Sequence, residues 1–154
     1  MLVIGNKAPG FSLLDKDGNI VSLRDFVGKK VILYFYPKDN TPGCTVQAQG
    51  FRDMYDQFKA LDVVVIGVSK DSVKSHQKFC RDFDLPFILL ADEERKALEA
   101  YGVTKAGSMY GKPVVKTLRT TFLIDEFGLI EQIWPEVDPK ENAAEILQYL
   151  KLHS

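Results

Sequence analysis

An α/β fold, with a mixed sheet of parallel and antiparallel strands lying between helices, is predicted by three observations. Apolar, β-branched runs alternate with stretches of helical periodicity from residue 30 to about residue 101. The turns Asp15-Lys-Asp-Gly-Asn19 and Asp125-Glu-Phe-Gly128 each separate two short apolar runs, which is a hairpin signal. A last helical stretch begins at Asp138-Pro-Lys-Glu141. Strands that alternate with helices call for parallel pairing and hairpins add antiparallel pairs, so the sheet must be mixed and covered on both faces.

Taken in order, Phe11-Ser-Leu-Leu14 and Ile20-Val-Ser-Leu23 form an N-terminal β-hairpin, expected as an accessory to the sheet. Lys30-Val-Ile-Leu-Tyr-Phe-Tyr36 reads as a buried strand stopped by Pro37. Thr41 suits an N-cap and Pro42 the first helical position, where a missing N–H costs nothing, so a helix starts there with Cys44 in its first turn. Val63-Val-Val-Ile-Gly-Val68 is a second buried strand, and Ser69-Lys-Asp-Ser72 supplies caps for a helix through about Asp84. Phe87-Ile-Leu-Leu90 is a third strand, followed by a short helix from Glu94 to Tyr101 that stops at Gly102. Residues 104–118, with Gly107, Gly111, Pro113 and the cations Lys105, Lys112 and Lys116, read as a long basic loop of a length usually kept for functional segments. Residues 120–124 and 129–134 make a second hairpin, and the terminal helix runs to about Leu152. This order fits a thioredoxin-like topology in one domain spanning residues 1–154.

Composition narrows the function. With 20 Lys and Arg against 21 Asp and Glu, the chain has no overall field that favours nucleic acid or an anionic membrane. There is no run of about 18 apolar residues and no charged N-terminal segment leading into an apolar stretch, so a cytoplasmic protein is expected. Two cysteines are too few for a disulfide-stapled scaffold. With no Cys-x-x-Cys pair and only His76 and His153 to assist, no metal and no cofactor are expected.

Cys44 is the first candidate for chemistry. A first-turn cysteine faces free backbone N–H groups and the positive end of the helix dipole, an environment that can lower a thiol's pKa of about 8.5 by one to several units. Position alone equally suits a small buried residue. Cys80 shares a helical face with Val73, Phe83 and His76 or Gln77, a setting for a core thiol. Arg119 precedes a strand, and its permanent charge beside a thiolate would stabilise the anion and donate to a polarised oxygen. His76 and Trp134 read as structural. Two other functions stay open on these residues. A thiol-disulfide oxidoreductase suits the topology, although Gln47 stands where its second cysteine belongs, and a non-catalytic binding or chaperone-like module suits two buried thiols.

The run Pro37-x-x-x-Thr41-Pro-x-Cys44 resembles the peroxiredoxin active-site motif, and its Thr-Pro-Gly-Cys-Thr form resembles the bacterioferritin-comigratory, or peroxiredoxin Q, subfamily. The resemblance extends over Gly5-Asn-Lys-Ala-Pro-Gly-Phe11, Tyr101-Gly-Val103, Met109-Tyr-Gly-Lys112 and Arg119-Thr-Thr-Phe-Leu-Ile-Asp125. It implies a thioredoxin-dependent peroxidase acting on hydrogen peroxide and organic hydroperoxides. In that reading Cys44 is the peroxidatic nucleophile, Thr41 and Arg119 bind and polarise the peroxide oxygens, and Pro37 and Gly43 belong to the substrate pocket. Many members carry a resolving cysteine five residues after the peroxidatic one, where this chain has Gln49. Another branch places it on the next long helix, where Cys80 stands. The chain also has Gln47 where glutamate is frequent and Gly10 where aspartate is usual. The resemblance further implies a Cys44–Cys80 disulfide, recycling by thioredoxin or a similar dithiol protein, and a monomer. Two thiols on separate helices must come within a Cα separation of about 4.4 to 6.8 Å to be bridged, so the first turn around Cys44 is expected to unwind.

Overall fold

The computed structural model describes residues 1–153. Ser12–Leu14 (β1) and Ile20–Ser22 (β2) form the first predicted hairpin. Asp15 closes it, its Oδ1 accepting hydrogen bonds from the backbone N–H groups of Asp17 and Asn19 at 2.9 and 3.0 Å. The hairpin is no accessory: Leu14 pairs with Ala91, which makes it one edge of the main sheet. Strands of three residues are too short to show from sequence which neighbour they join.

Lys30–Phe35 (β3) is buried from Val31 onward and is followed by Pro42–Asp53 (α1) and Tyr55–Ala60 (α2). Next come Val63–Ser69 (β4), Val73–Phe83 (α3), Ile88–Ala91 (β5) and Lys96–Ala100 (α4). β3 pairs in parallel with β4, and β4 with β5. The segment predicted as a long basic loop is instead a two-stranded antiparallel ribbon, Thr104–Met109 (β6) and Lys112–Thr117 (β7). Its residues are exposed or half-buried on both faces, so it lacks the apolar alternation by which strands are recognised. Thr120–Ile124 (β8) and Ile130–Trp134 (β9) form the second predicted hairpin, and β8 pairs antiparallel with β3. The terminal helix, Asn142–Leu152 (α5), starts one turn later than expected, because Asp138 first closes a turn through its carbonyl to the N–H groups of Glu141 and Asn142.

The main sheet has seven strands in the order β2-β1-β5-β4-β3-β8-β9. Side chains alternate across it as the period of two requires. Ile32 and Tyr34 of β3 face one core with Cys44, Ala48 and Phe51 of α1, Phe79 and Cys80 of α3, and the apolar stripe of α5. Val31, Leu33 and Phe35 face the other core with Ala97 and Leu98 of α4. The predicted class, a mixed sheet between helices, is thus what forms. Gly67 of β4 is required by close packing: a Cβ there would lie 2.8 Å from the Tyr34 ring and from Leu89. Among the described residues no helix is long and apolar enough to cross a membrane.

Candidate active site

β3 delivers the chain to the site, and the loop after it is fixed by a buried polar cluster. Asp39, only 4% exposed, accepts hydrogen bonds from the Tyr36 hydroxyl at 2.5 Å and the Ser75 hydroxyl at 2.8 Å. His76 Nδ1 lies 2.7 Å from the same carboxylate, and its Nε2 lies 3.0 Å from the Leu90 carbonyl. The backbone N–H of Asp39 donates to Asp71 at 2.8 Å. Burial, then the charge of Asp39, hold the Tyr36 phenol far above its usual range, so it remains a donor. His76, which from sequence had no nameable partner, therefore joins the loop ahead of Cys44 to the helix that carries Cys80.

Past Asn40, in the left-handed region at φ 62°, the chain enters α1. Thr41 has the extended backbone of an N-cap, but its hydroxyl does not cap the helix. It turns back and donates to the Lys38 carbonyl at 2.8 Å, which corrects the expected side-chain cap. With its hydrogen so used, Thr41 Oγ1 offers only lone pairs. Pro42 opens the helix and Cys44 sits in its first turn, 1% exposed. Pro37 is half-buried at the head of the same loop.

Arg119, from the segment before β8, reaches the N-terminus of α1. Its Nη2 lies 3.2 Å from where a Cβ on Gly43 would be, so the absence of a side chain at residue 43 admits the guanidinium. Its Nη1 donates to Gln47 Oε1 at 2.7 Å. Gln47 is 1% exposed and donates through Nε2 to Asn142 Oδ1 at 3.0 Å, and Thr121 donates to the same oxygen at 2.9 Å. The amide is thus oriented by the start of α5. Being neutral, it holds Arg119 without cancelling its charge, and Arg119 makes no ion pair among the described residues. Position 47, where an oxidoreductase would carry its second thiol, is occupied by this strut. The sequence showed Gln47 only as a departure from a pattern, and nothing in it pointed to Asn142 or Asp39.

Cys80 is brought into the same apolar cluster as Cys44, and both are free thiols. Burial pushes the Cys80 thiol up to about 11, with Lys16 pulling it down and Asp39 and Asp17 adding to the rise. Five of the six predicted site residues, Pro37, Thr41, Gly43, Cys44 and Arg119, gather at the loop and first turn of α1; Cys80 lies apart on α3.

Residues 4–133 match the AhpC/TSA family model. The chain belongs to the AhpC/TSA family and is a peroxiredoxin. It is 51% identical over 144 residues to a putative peroxiredoxin bcp of Coxiella burnetii, covering 94% of this chain and 95% of that one. It is 48% identical over 148 residues to peroxiredoxin Bcp of Bacillus subtilis, covering 96% and 94%. Among solved structures, a cysteine-to-serine mutant of Xylella fastidiosa PrxQ superposes with a TM-score of 0.93 at 34% identity, covering 99% and 98%. The bacterioferritin comigratory protein of Xanthomonas campestris, described for its alkyl peroxide reduction activity, gives 0.88 at 36% identity, covering 93% and 91%. The fold of this peroxiredoxin is thioredoxin-like, and its activity is that of a thiol-dependent peroxidase.

Proposed function

We propose that this peroxiredoxin reduces hydrogen peroxide and organic hydroperoxides at Cys44, resolves the oxidised sulfur with Cys80, and is recycled by thioredoxin or a similar dithiol protein. The single observation that carries the reading is the Arg119 guanidinium, seated against Gly43 at the N-terminus of the helix that bears Cys44. Sulfur made anionic there meets a full positive charge and the helix dipole in a site walled off from water. It attacks the terminal oxygen of the hydroperoxide, so that an S–O bond forms as the O–O bond breaks. The attacked oxygen keeps its hydrogen, and the departing oxygen takes a proton from solvent to leave as water or alcohol. Arg119 donates to the oxygens as charge develops on them, while Thr41 Oγ1 accepts the substrate's O–H. Pro37 and Gly43 shape the pocket. One domain carries the whole cycle as a monomer in the cytoplasm.

Cys80 thiolate then attacks the sulfenic sulfur and expels hydroxide, giving the Cys44–Cys80 disulfide. Cys44 must first leave its buried place, which breaks the bond from the Thr45 N–H to the Thr41 carbonyl, 2.9 Å in the folded site. Because Asp39 is pinned to α3 and to Asp71 in the loop that leads into it, the pivot lies between Asp39 and Cys44, where Asn40 sits in the left-handed region. The reductant's dithiol exchanges through a mixed disulfide and restores both thiols. Cys80→Ser is expected to keep the first turnover in rapid mixing with peroxide and to lose thioredoxin-dependent cycling; a variant that cycles normally would refute the resolving role.

The raised Cys80 pKa sets a pH dependence. The folded form keeps its proton up to about 11, whereas the opened form ionises in the ordinary thiol range, so the opened form loses protons first as pH rises. Below the ordinary thiol range the thiolate fraction of the opened form rises with pH, and between that range and about 11 rising pH favours opening itself, so the rate of disulfide formation is expected to climb about tenfold per unit through the neutral and mildly alkaline range. Stopped-flow fluorescence of the second phase at several pH values reads this, and a plateau already at neutral pH would contradict it.

A further inference from the structure

The basic ribbon β6–β7 has no part in the chemistry above. Its register places Lys105 opposite Lys116 and Met109 opposite Lys112. By the alternation of strand side chains, Lys105, Gly107 and Met109 share one face with Lys112, Val114 and Lys116. All three cations of the ribbon thus lie on a single face. Residues 104–117 contain no acidic residue, and none of the three lysines makes an ion pair among the described residues. Like charges directly across a strand pair are unfavourable, so the fold gains nothing from this arrangement.

The tip is as unusual as the face. Tyr110 and Gly111 form a two-residue turn with φ of 52° and 78°, a conformation tyrosine adopts at a cost. It leaves Tyr110 98% exposed beside Met109 at 55%. Tyr and Met are enriched in protein interfaces and are not typical of idle loop tips.

The ribbon also stands at the right end of the molecule. The Leu118 N–H donates to the Val103 carbonyl and closes its base, and Arg119 follows at once. Thr120 pairs with Phe35, the last residue of β3, so the base of the ribbon lies at the end of the sheet where the Cys44 loop begins. The ribbon therefore springs from the same end of the sheet as the loop that carries Cys44.

We propose that the lysine face and Tyr110 tip of β6–β7 are the docking surface for the dithiol reductant, and that they engage an acidic, apolar-centred surface around its reactive thiols. This rests on the recycling step proposed above. Three cations are too few for strong nucleic-acid or membrane binding, in which six to ten phosphate contacts are ordinary. They suffice to steer and orient a protein partner.

The test uses the full chain carrying Lys105→Glu, Lys112→Glu and Lys116→Glu together, with a thioredoxin of net negative charge as the probe. The second-order rate constant for reduction of the disulfide is expected to fall about tenfold at low ionic strength and to approach the wild-type value near 1 M salt, where the Debye length is only about 3 Å. Oxidation by peroxide and reduction by dithiothreitol should not change, which shows that the variant is folded and its site intact. Reduction by thioredoxin at the wild-type rate and with the wild-type salt dependence would overturn the docking surface while leaving the recycling step standing. A wild-type disulfide that dithiothreitol reduces and thioredoxin does not would overturn both. Loss of binding to anionic vesicles with unchanged thioredoxin kinetics would assign the face to a membrane instead and overturn the proposal.

Discussion

Cys44→Ser is expected to lower the second-order rate constant for peroxide consumption by roughly 10⁴-fold or more, since losing a covalent nucleophile removes the reaction path and not merely one contact. The hydroxyl is nearly isosteric with the thiol and Cys44 is 1% exposed within a well-packed cluster, so the fold should survive and thermal unfolding should shift little. Peroxide consumption after stopped-flow mixing reads the effect. Cys80 cannot substitute: it is buried, and its thiol is held up to about 11, so it stays protonated at neutral pH. A Cys44→Ser protein that still consumed peroxide rapidly would remove the basis for every later step.

Arg119→Ala carries the second large effect. The guanidinium sets a full positive charge at the N-terminus of α1, and among the described residues no carboxylate forms an ion pair with it. By analogy with the loss of a preorganised oxyanion donor, the barrier should rise by about 2 to 4 kcal/mol, or roughly 10²- to 10³-fold in rate. Arg119→Lys keeps the charge and loses the planar fork that reaches Gln47 while another nitrogen faces the site, so it should recover only part of the loss. Both variants are read as peroxide kcat/KM. An unaltered value in Arg119→Ala would show that the helix terminus alone carries the charge stabilisation.

Much of this site was legible in the chain because it is local. Residues 37 to 44 are contiguous, and the strand, breaker and helix start that organise them are short-range signals. Arg119 could be named as a cation ahead of a strand, but its place beside Cys44 came only through resemblance, since nothing near it in sequence says that a long-range strand pairing, β8 with β3, will carry it to α1. The partners of the site were hidden for the same reason. Gln47, Asn142 and Thr121 meet from three separate elements, and Asp39 meets His76 across 37 residues. Thr41 shows the converse limit. Its identity fitted a cap, yet the preceding turn offered the Lys38 carbonyl as an alternative acceptor, and the hydroxyl went there. In the fold, the buried strands β3 and β4 were plain from their apolar runs, whereas β6 and β7, open to solvent on both faces, carry no such pattern.

The most direct test of the mechanism is to treat the reduced protein with one equivalent of hydrogen peroxide, block the remaining thiols, and map the peptides by mass spectrometry. The expected product is a single linkage between Cys44 and Cys80 in the wild type, with sulfenic acid at Cys44 alone in Cys80→Ser. Oxidation found at Cys80 while Cys44 remains a free thiol would contradict the assignment of the reacting sulfur.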